Sequence, residues 1–541
     1  MAWHSLRRVS LRTRWVSCCS RSRLRASSCV AHVPSRWRRN KTRAIARPVR
    51  EGPPGVGLLV SRRDAVTAAA LFAAVFASRL PFATQTLWAW DSVLYARALE
   101  HGFHVDFDLA DQRPHAPGYL LYVAAAWLAR AVVVDSNAAL VLVSMLASAA
   151  AAALLYLFAR RFVSRGASLA AAAAFAASPL TWTYSEVAYP YAVLALGSVT
   201  LAALLHRARG GSPGDAVLAS AVLGLACGFR QDLAIVVGPL WLWTMAAQPG
   251  RTRWSSVAAG LVGALVWLVP TVALSDGPVE YLFALTQQAT FVAAAYAPHS
   301  AGLGALAANV GTTAFALAWA LGAAAVPLAL AAGLWRRPAQ APDVQFLALW
   351  AAPALAFYLL VHIGEWGYVL SVVPALYVGV ALAIDRVARA VPHPRLATGA
   401  LGAATVAAGA VAFVFSAGPF SAAELRAHDR ELASRVAYVR GQLDPRHIAV
   451  LAREDYLLIR YYLPEYSALF HDPAPYVSAP RHKRVGQMAA LVVFTKGLAP
   501  GRGTEVRYIE CAKGVRLAYV PLPPGAMLEL FGDEYTIRET Q

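Results

Sequence analysis

The sequence predicts a polytopic α-helical membrane protein that ends in a small α/β domain. Of its 541 residues, 58% are apolar and only 15% are charged, and the mean hydropathy is +0.48. Ordinary soluble domains are about 45–50% apolar and about 25% charged. A soluble enzyme, a disordered chain and a disulfide-rich secreted domain are therefore disfavoured. The apolar residues lie in long runs, and this pattern stops near residue 420.

The positive charge is concentrated at the N-terminus. Residues 1–50 contain 14 of the 49 Lys and Arg residues and no Asp or Glu, so the net charge of +19 describes a tail rather than a basic face. We therefore expect no nucleic-acid partner and treat residues 1–62 as a basic, disordered tail. A mitochondrial transit peptide and a start codon assigned too far upstream are the alternatives. The later cysteines, Cys227 and Cys511, form no disulfide framework and no metal-ligand spacing.

Twelve apolar segments have the length and composition of membrane-spanning helices. A span needs about 20 predominantly apolar residues, and the Ala-rich composition of several segments allows close helix packing. The predicted segments are residues 65–83, 117–134, 137–159, 167–184, 188–206, 214–229, 232–247, 254–274, 306–334, 344–362, 367–384 and 396–417.

Basic clusters between these segments predict the orientation, because cytoplasmic loops are enriched in Lys and Arg. With the N-terminus in the cytoplasm, every later cluster falls on the cytoplasmic side only if segment 117–134 does not cross. That segment is short and contains Arg130. We therefore predict eleven spans, with 117–134 as a re-entrant or interfacial helix, and twelve spans as the alternative. The predicted location is the plasma membrane, with everything after residue 417 outside the cytoplasm.

Residues 421–541 are predicted to form a small extracytoplasmic α/β domain after a transmembrane domain at 63–420. Ser421-Ala-Ala-Glu424 is a capping box that starts a helix running to about Leu443. No metal-ligand spacing or Gly-rich loop is present, which favours a structural or acceptor-guiding role over catalysis. Strands are predicted at HIAVLA, SALF, LVVFTKG, TEVRYIEC and VRLAYVPL, with a helical turn from Tyr456 to Tyr462.

The first loop predicted to lie outside, residues 84–116, is rich in charged and aromatic side chains. Charged groups next to hydrocarbon are costly and are kept mainly when they are paired or used. Helical spacing after Trp90 predicts a short interfacial helix that carries Asp91. A cluster of three acids could bind a divalent metal, although a plain solvated loop is the alternative; the cluster is Asp106, Asp108 and Asp111.

Several motifs resemble the membrane-embedded GT-C glycosyltransferases, the relatives of protein O-mannosyltransferases and of bacterial lipid A aminoarabinose transferases. The likeness covers about residues 65–390 and includes Arg79, WDSVLYARAL, RPHAPGYLLYV, ASPLTWTYSEVAYPYAVLAL and GLACGFRQDLAIVVGPLWLW. Enzymes of this family take a sugar from a polyprenyl-phosphate carrier on the external face. Many relatives have two adjacent acids where this chain has Asp91-Ser92, and the missing acid argues against a metal clamp there.

The resemblance implies a hexosyl or pentosyl transferase with a polyprenyl-phosphate-sugar donor and a glycan, lipid or protein acceptor. A carboxylate must accept the proton of the attacking hydroxyl, and we assign this role to Asp91. Glu186 is the second catalytic candidate, as a group that orients the acceptor, a Tyr or a cation. Cationic and polar side chains must bind the lipid phosphate; the candidates are Arg79, Arg230, His115, His362 and Tyr368. No cofactor is certain, and a divalent metal stays open.

Each candidate also has a plain structural explanation. Asp91 suits a helix cap, Glu186 a solvated loop, and Arg230 a snorkelling interfacial anchor, while His115 and His362 suit packing positions. A transporter or flippase is the alternative function, but we find no inverted repeat, and the polar residues cluster at one face rather than at the bilayer midplane. A non-catalytic scaffold does not explain the acid-rich first loop.

Overall fold

A computed structural model describes residues 61–108, 111–334, 342–470, 481–485, 487–495, 505–531 and 534–538. The predicted basic tail lies outside the described residues except for positions 61 and 62. The first helix begins directly after Ser61, whose hydroxyl accepts a hydrogen bond from the backbone N–H of Asp64 at 3.1 Å. This is the usual way for a serine to cap a helix N-terminus.

The membrane part is helical throughout, as predicted, and each of the twelve apolar segments coincides with a helix or a pair of helices. The helices before residue 420 are α1 (Arg62–Arg79), α2 (Trp90–His101), α3 (Leu120–Ala129), α4 (Ser136–Ala159), α5 (Arg165–Ala177), α6 (Pro179–Thr183), α7 (Tyr191–Arg209), α8 (Pro213–Ala226), α9 (Leu233–Ala246), α10 (Gly250–Ala273), α11 (Pro278–Tyr296), α12 (Pro298–Ala301), α13 (Leu303–Leu321), α14 (Ala325–Gly333), α15 (Pro342–Leu360), α16 (Val373–Arg389) and α17 (Pro394–Phe415).

Within the described ranges, six helical segments are long and apolar enough to cross a membrane by length and composition. They are 62–82, 136–159, 191–209, 250–273, 303–333 and 394–415. Helices α3, α8, α9 and most of α15 are apolar but shorter. The ten residues of α3 rise only about 15 Å, half of the roughly 30 Å hydrocarbon core, which agrees with a helix that does not cross. The count of eleven spans stays a prediction.

Small residues allow the helices to approach closely, as the Ala-rich composition predicts. A Cβ at Gly224 of α8 would lie 2.1 Å from the carbonyl oxygen of Gly260 on α10. A Cβ at Gly263 would lie 2.4 Å from the carbonyl oxygen of Ala221. Helix pairs that touch through glycine in this way are common in membranes, where van der Waals packing takes the place of the hydrophobic effect in holding helices together.

One long helix was not expected from the sequence. The stretch 275–305, predicted only as an external connection, contains the 19-residue helix α11 and the single turn α12. Polar residues interrupt its apolar pattern in the middle, at Thr286, Gln287, Gln288 and Thr290. This interruption removes it from a search for apolar runs, although several of its apolar side chains line the cavity described below.

The C-terminal part is an α/β unit, as predicted. It contains α18 (Ala422–Gln442), β1 (Ile448–Ala452), α19 (Tyr456–Tyr462), β2 (Ser467–Phe470), β3 (Arg481–Arg484), β4 (Ala490–Val493), β5 (Arg507–Ala512), β6 (Val515–Pro521), β7 (Met527–Phe531) and β8 (Glu534–Arg538). One sheet has the order β2-β1-β4-β6-β5, and the other has the order β3-β7-β8. Strand β1 pairs in parallel with both β2 and β4. Ser421 caps α18 as predicted, since its Oγ accepts from the Glu424 N–H at 3.2 Å, while the Glu424 carboxylate accepts from the backbone N–H of Phe420 at 2.7 Å rather than from that of Ser421.

The C-terminal unit binds the segment that leads into α2. The Asp429 carboxylate of α18 accepts hydrogen bonds from the backbone N–H groups of Gln85 and Thr86, both at 2.9 Å, and from the Thr86 hydroxyl at 2.7 Å. The backbone N–H of Leu87 donates to the Tyr462 hydroxyl at 2.8 Å. These contacts fix the chain three residues before Trp90, where α2 begins.

Candidate active site

A cavity of about 980 Å³ lies where α2, α11 and the C-terminal unit meet. Its polar lining comes from loops at helix ends, and much of its apolar lining comes from α11. The lining residues that matter below are Trp90, Asp91, His115, Tyr119, Tyr191, Asp232, Ile235, Leu285, Val292, Phe357, His362, Glu365, Tyr368, Arg453, Glu454 and Phe470. This mixture of one apolar wall and convergent polar groups is typical of a ligand site.

Asp91 and His115 form a pair in this cavity. Asp91 lies in the first turn of α2, where the helix dipole favours a negative charge. His115 Nε2 lies 3.5 Å from Asp91 Oδ1, and His115 Nδ1 lies 2.7 Å from the carbonyl oxygen of Ala116. Because a carbonyl only accepts, Nδ1 carries a hydrogen. Burial alone would lower the pKa of His115, but the Asp91 carboxylate and the hydrogen bonds raise it overall.

Arg230 is held in a cage of tyrosines beside the cavity. Its Nε and Nη2 donate to the two Asp232 oxygens at 3.1 and 2.9 Å. Its guanidinium carbon lies 4.5 Å from the Tyr191 ring centroid and 4.7 Å from that of Tyr368. The ring of Tyr119 completes the cage at 5.7 Å. Cation–π contacts of this kind stabilise a desolvated charge, so Arg230 is kept as a cation next to the lining residues.

His362 presents a polar atom that the described protein does not satisfy. Its Nδ1 is buried and has no hydrogen-bond partner within the described residues. Its ring lies 5.7 Å from that of Tyr368. A buried polar atom without a partner costs about 1–3 kcal/mol, which a ligand in the cavity would offset.

Glu365 is a carboxylate of the cavity that the site prediction missed. Its Oε2 accepts from the Tyr184 hydroxyl at 2.6 Å and from the backbone N–H of Trp366 at 3.2 Å. Burial raises its pKa. The signal in the sequence was its place in the GEWG motif between His362 and Tyr368.

Arg79 and Glu186 form a buried pair, and neither residue is among those that line the cavity. Arg79 Nε is 4.0 Å from Glu186 Oε1, and the side chains are 1% and 0% exposed. Arg79 Nη2 donates to the carbonyl oxygen of Ala176 at 2.6 Å, and its guanidinium lies 4.3 Å from the Trp182 ring. Burial raises the pKa of Glu186. The backbone of Glu186 accepts two hydrogen bonds from Thr84, so the pair adjoins the segment before α2.

The structure therefore gathers five of the seven predicted site residues at or beside one cavity. Asp91, His115, His362 and Tyr368 line it, and Arg230 contacts Tyr368.

No three-ligand metal group occurs among the His, Cys, Asp and Glu side chains of the described residues. Of the acids in the first loop, Asp106 caps its own turn by accepting from the backbone N–H of Asp108 at 3.0 Å. It also lies 3.6 Å from His104 Nε2. Residues 109 and 110 between Asp108 and Asp111 lie outside the described ranges.

Three further cavity residues come from the C-terminal unit, and sequence reasoning did not identify them. Arg453 and Glu454 directly follow β1, and Phe470 is the last residue of β2. The Phe470 ring lies 5.8 Å from that of Trp90. Sequence patterns place these residues in separate local elements, and only the tertiary structure brings them beside Asp91.

Comparisons with solved structures identify the architecture. ArnT from Cupriavidus metallidurans bound to undecaprenyl phosphate matches with a TM-score of 0.56 and 14% identity, over 84% of this chain and 97% of that chain. The chain therefore shares the fold of ArnT. The apo state of the same ArnT matches over the same shares with a TM-score of 0.51 and 15% identity. The oligosaccharyltransferase of Archaeoglobus fulgidus, in complex with Zn and sulfate, matches with a TM-score of 0.50 and 12% identity, over 80% of this chain and 67% of that chain.

Sequence comparison gives a match to a glycosyltransferase family model over part of the chain. Residues 114–274 match the family model described as dolichyl-phosphate-mannose-protein mannosyltransferase. No curated protein matches the chain in a sequence search. The resemblance to GT-C glycosyltransferases predicted from the motifs is confirmed, and the protein is a multi-pass integral membrane protein with the GT-C fold. The matched region contains His115 and Arg230, two of the residues at the cavity.

Proposed function

We propose that this protein is a hexosyl or pentosyl transferase that moves a sugar from a polyprenyl-phosphate carrier to an acceptor hydroxyl. The cavity is the observation that carries this proposal, since a carboxylate and an apolar wall line it, and the caged Arg230 contacts two of its lining residues, Tyr191 and Tyr368. Support also comes from the structurally similar ArnT, which was solved with undecaprenyl phosphate bound. A transporter gains no support, because the polar residues gather at one end of the bundle.

The apolar wall suits the lipid part of the donor. Leu285 and Val292 of α11 are one face of it, and Ile235 and Phe357 from α9 and α15 are another. An isoprenoid chain would bury apolar area against these side chains at about 25 cal/mol per Å². The phosphate would then lie near the polar groups that stand at the ends of the same helices.

The polar groups suit the leaving phosphate. Arg230 supplies a fixed cation, His115 supplies a second cation when protonated, and Tyr368 supplies a hydroxyl. The unpartnered Nδ1 of His362 provides one further hydrogen-bonding atom. Groups that are already oriented toward developing negative charge stabilise a transition state without reorganisation. These residues would stabilise the lipid phosphate as its bond to the sugar breaks.

Asp91 is the group we assign as general base. The acceptor oxygen attacks the anomeric carbon while its proton moves to the Asp91 carboxylate, and the electron pair of the broken bond stays on the lipid phosphate. One displacement inverts the anomeric centre. The lipid phosphate is stable as an anion and can leave without being protonated, so no second catalytic acid is needed. His115 Nε2 lies 3.5 Å from Asp91 Oδ1, close enough to orient the carboxylate toward the acceptor.

We assign Arg79 and Glu186 a positioning role in place of direct contact with the donor. The Thr84 hydroxyl donates to the Glu186 carbonyl oxygen at 2.8 Å, and Ser92 Oγ of α2 donates to the carbonyl oxygen of Ala188 at 3.0 Å. The loop that contains Glu186 thus supports both ends of the segment that presents Asp91. Catalysis by Glu186 itself remains a prediction that an activity assay of Glu186→Gln can test.

We also propose that the site faces the extracytoplasmic side in the plasma membrane. The C-terminal unit lines the same cavity as Asp91, so the site and that unit share one side of the membrane. A tag after Val134 should be reachable from outside, and a tag at Ser164 should not. The reverse labelling would refute the orientation.

The decisive experiment offers the purified protein a panel of polyprenyl-phosphate sugars and measures release of free polyprenyl phosphate. We expect Asp91→Asn to lose at least about 10²-fold in turnover, the usual contribution of a general base, while it still inserts and binds the carrier. Asp111→Asn is the matched control, because Asp111 is an exposed acid of the same loop. Normal transfer by Asp91→Asn would remove Asp91 from the mechanism.

A further inference from the structure

We propose that the C-terminal unit supplies the acceptor subsite of the cavity, and that the acceptor is a carbohydrate whose ring stacks on Trp90. This inference deepens the proposed function and depends on it. It goes beyond a structural role for residues 421–541, because it assigns ligand contacts to Arg453, Glu454 and Phe470.

The fold places these residues at an edge of the sheet that is suited to binding. Strands β1 and β2 are parallel, and their last residues, Ala452 and Phe470, are direct partners in the register. Arg453 and Glu454 follow Ala452 immediately. The side chains of Arg453, Glu454 and Phe470 all line the cavity. Ligands of parallel α/β sheets bind outside the carboxyl ends of the strands, which is the edge that faces Asp91.

Aromatic packing fixes Trp90 as a platform. The Phe470 ring lies between those of Trp90, at 5.8 Å, and Tyr456, at 4.8 Å. Phe470 is 6% exposed, whereas Trp90 is only half-buried and so keeps part of its surface toward the cavity. The negatively polarised face of an indole ring attracts the weakly positive C–H groups on one side of a sugar ring. Two rings behind Trp90 hold it in place at no further cost in conformational entropy.

The position of Trp90 in the chain matches the chemistry. Trp90 directly precedes Asp91 in the first turn of α2, and both side chains line the cavity. A sugar ring on the indole therefore holds its hydroxyl groups near the carboxylate that we assign as base. Productive attack needs the reacting atoms within about 3–3.5 Å of each other, and a platform one residue away from the base provides this alignment.

Arg453 and Glu454 provide the polar contacts that a sugar needs. Sugar hydroxyl groups donate and accept hydrogen bonds, so a cation and a carboxylate side by side can bind both functions. Glu454 is exposed and Arg453 is half-buried, so both can reach a ligand in the open part of the cavity. The donor-phosphate candidates belong to other elements, and the two substrates would therefore meet at Asp91 from different walls.

The test measures transfer from a radiolabelled polyprenyl-phosphate sugar to two kinds of acceptor, a panel of octyl hexosides and pentosides and a Ser/Thr-containing peptide. We expect transfer to an octyl glycoside and not to the peptide. Glu454→Gln and Arg453→Gln should each raise the acceptor KM about tenfold, with a change in donor KM of less than twofold. Glu505→Gln is the control, because Glu505 is 65% exposed and pairs with Arg507 at 2.8 Å.

The outcomes separate the two proposals. If no acceptor consumes the donor and the protein does not bind free polyprenyl phosphate, the proposed function itself fails. If the peptide is the acceptor, the carbohydrate inference is wrong while the transferase proposal stands. Donor binding without transfer to any glycoside, or variants with an unchanged acceptor KM, would also overturn it. Trp90→Phe keeps an aromatic ring and should retain more acceptor affinity than Trp90→Leu, which distinguishes stacking from general packing.

Discussion

Asp429 should hold the C-terminal unit on the segment before α2, and the free energy of this contact can be worked out from its hydrogen bonds. The Asp429 carboxylate accepts two backbone N–H groups and one hydroxyl. In Asp429→Asn only one side-chain oxygen remains to accept hydrogen bonds. The new amide N–H₂ group cannot accept, so it would face one of the donor groups of residues 85 and 86 without bonding to it. Oxygen Oδ1 serves both groups of Thr86, so the amide oxygen should stay there, and the Gln85 N–H should lose its partner. Hydrogen bonds to a charged group contribute about 1.5–3 kcal/mol.

Part of this contact is exposed to solvent, so we expect the free-energy loss to lie in the lower part of the range of about 1.5–3 kcal/mol. Asp429→Asn should weaken docking of the C-terminal unit on residues 85–87 by about 2 kcal/mol, which corresponds to roughly thirtyfold in the opening equilibrium. Thr86→Val removes only the hydroxyl bond and should cost about 1 kcal/mol. Weaker docking of the C-terminal unit should also lower turnover, because the segment that it holds positions Asp91.

Amide hydrogen exchange in nanodiscs is the assay. The backbone N–H of Leu87 is the best reporter, since it donates to Tyr462 of α19 and not to the altered side chain. Its exchange rate follows local opening of the docked surface. An unchanged exchange rate at Leu87 in Asp429→Asn would show that the carboxylate does not hold the C-terminal unit, and would refute this reasoning.

Three further predictions concern the cavity and the helix packing. Because the pKa of His115 is raised in the folded protein, its ion pair with Asp91 stabilises the fold fully below about pH 6.5, the ordinary pKa of histidine. This stabilisation is lost as the pH rises through the higher pKa of the folded state. His115→Gln should abolish this pH dependence of thermal unfolding, and an unchanged pH profile would contradict the prediction. Gly367→Ala would place a Cβ 2.4 Å from the Tyr191 ring, so it should displace that ring and weaken carrier binding at least severalfold in a polyprenyl-phosphate titration. Gly224→Ala should lower thermal stability by about 1–3 kcal/mol through overpacking against α10, whereas Gly238→Ala, which has open space around it, should not; equal effects would refute the close-packing argument.

Sequence reasoning found the helices because burial in lipid requires long apolar runs, and these are visible without any tertiary information. It also predicted Asp91, His115, His362 and Tyr368 as site residues, because charged and polar groups next to hydrocarbon are kept mainly when they are paired or used, and the structure places all four on the lining of one cavity. The same pattern selected Arg79 and Glu186, which the structure places in a buried pair away from the cavity lining. Loop position alone cannot distinguish a side chain that faces a cavity from one that faces a neighbouring helix.

Helix α11 shows a second limit. Its apolar residues supply much of the cavity wall, yet its central Thr and Gln residues break the apolar run that a span search needs. Strands β3, β7 and β8 were missed for a related reason, since short strands have weak periodicity. Both failures occur where the local pattern is short or mixed and tertiary contacts decide the structure.

The same limit explains why the sequence favoured a structural or acceptor-guiding role for the C-terminal domain but did not identify the residues that we propose for the acceptor subsite. Arg453 and Phe470 are more than 350 positions from Asp91 along the chain, and neither belongs to a recognisable motif. Their approach to Asp91 depends on two separate facts: β1 and β2 are parallel, and Asp429 docks the C-terminal unit on the segment before α2. The candidates for carrier binding were predicted from their place at helix ends in the membrane part. The residues that we propose for the acceptor depend on how a second folding unit is seated, so they follow only from the three-dimensional structure.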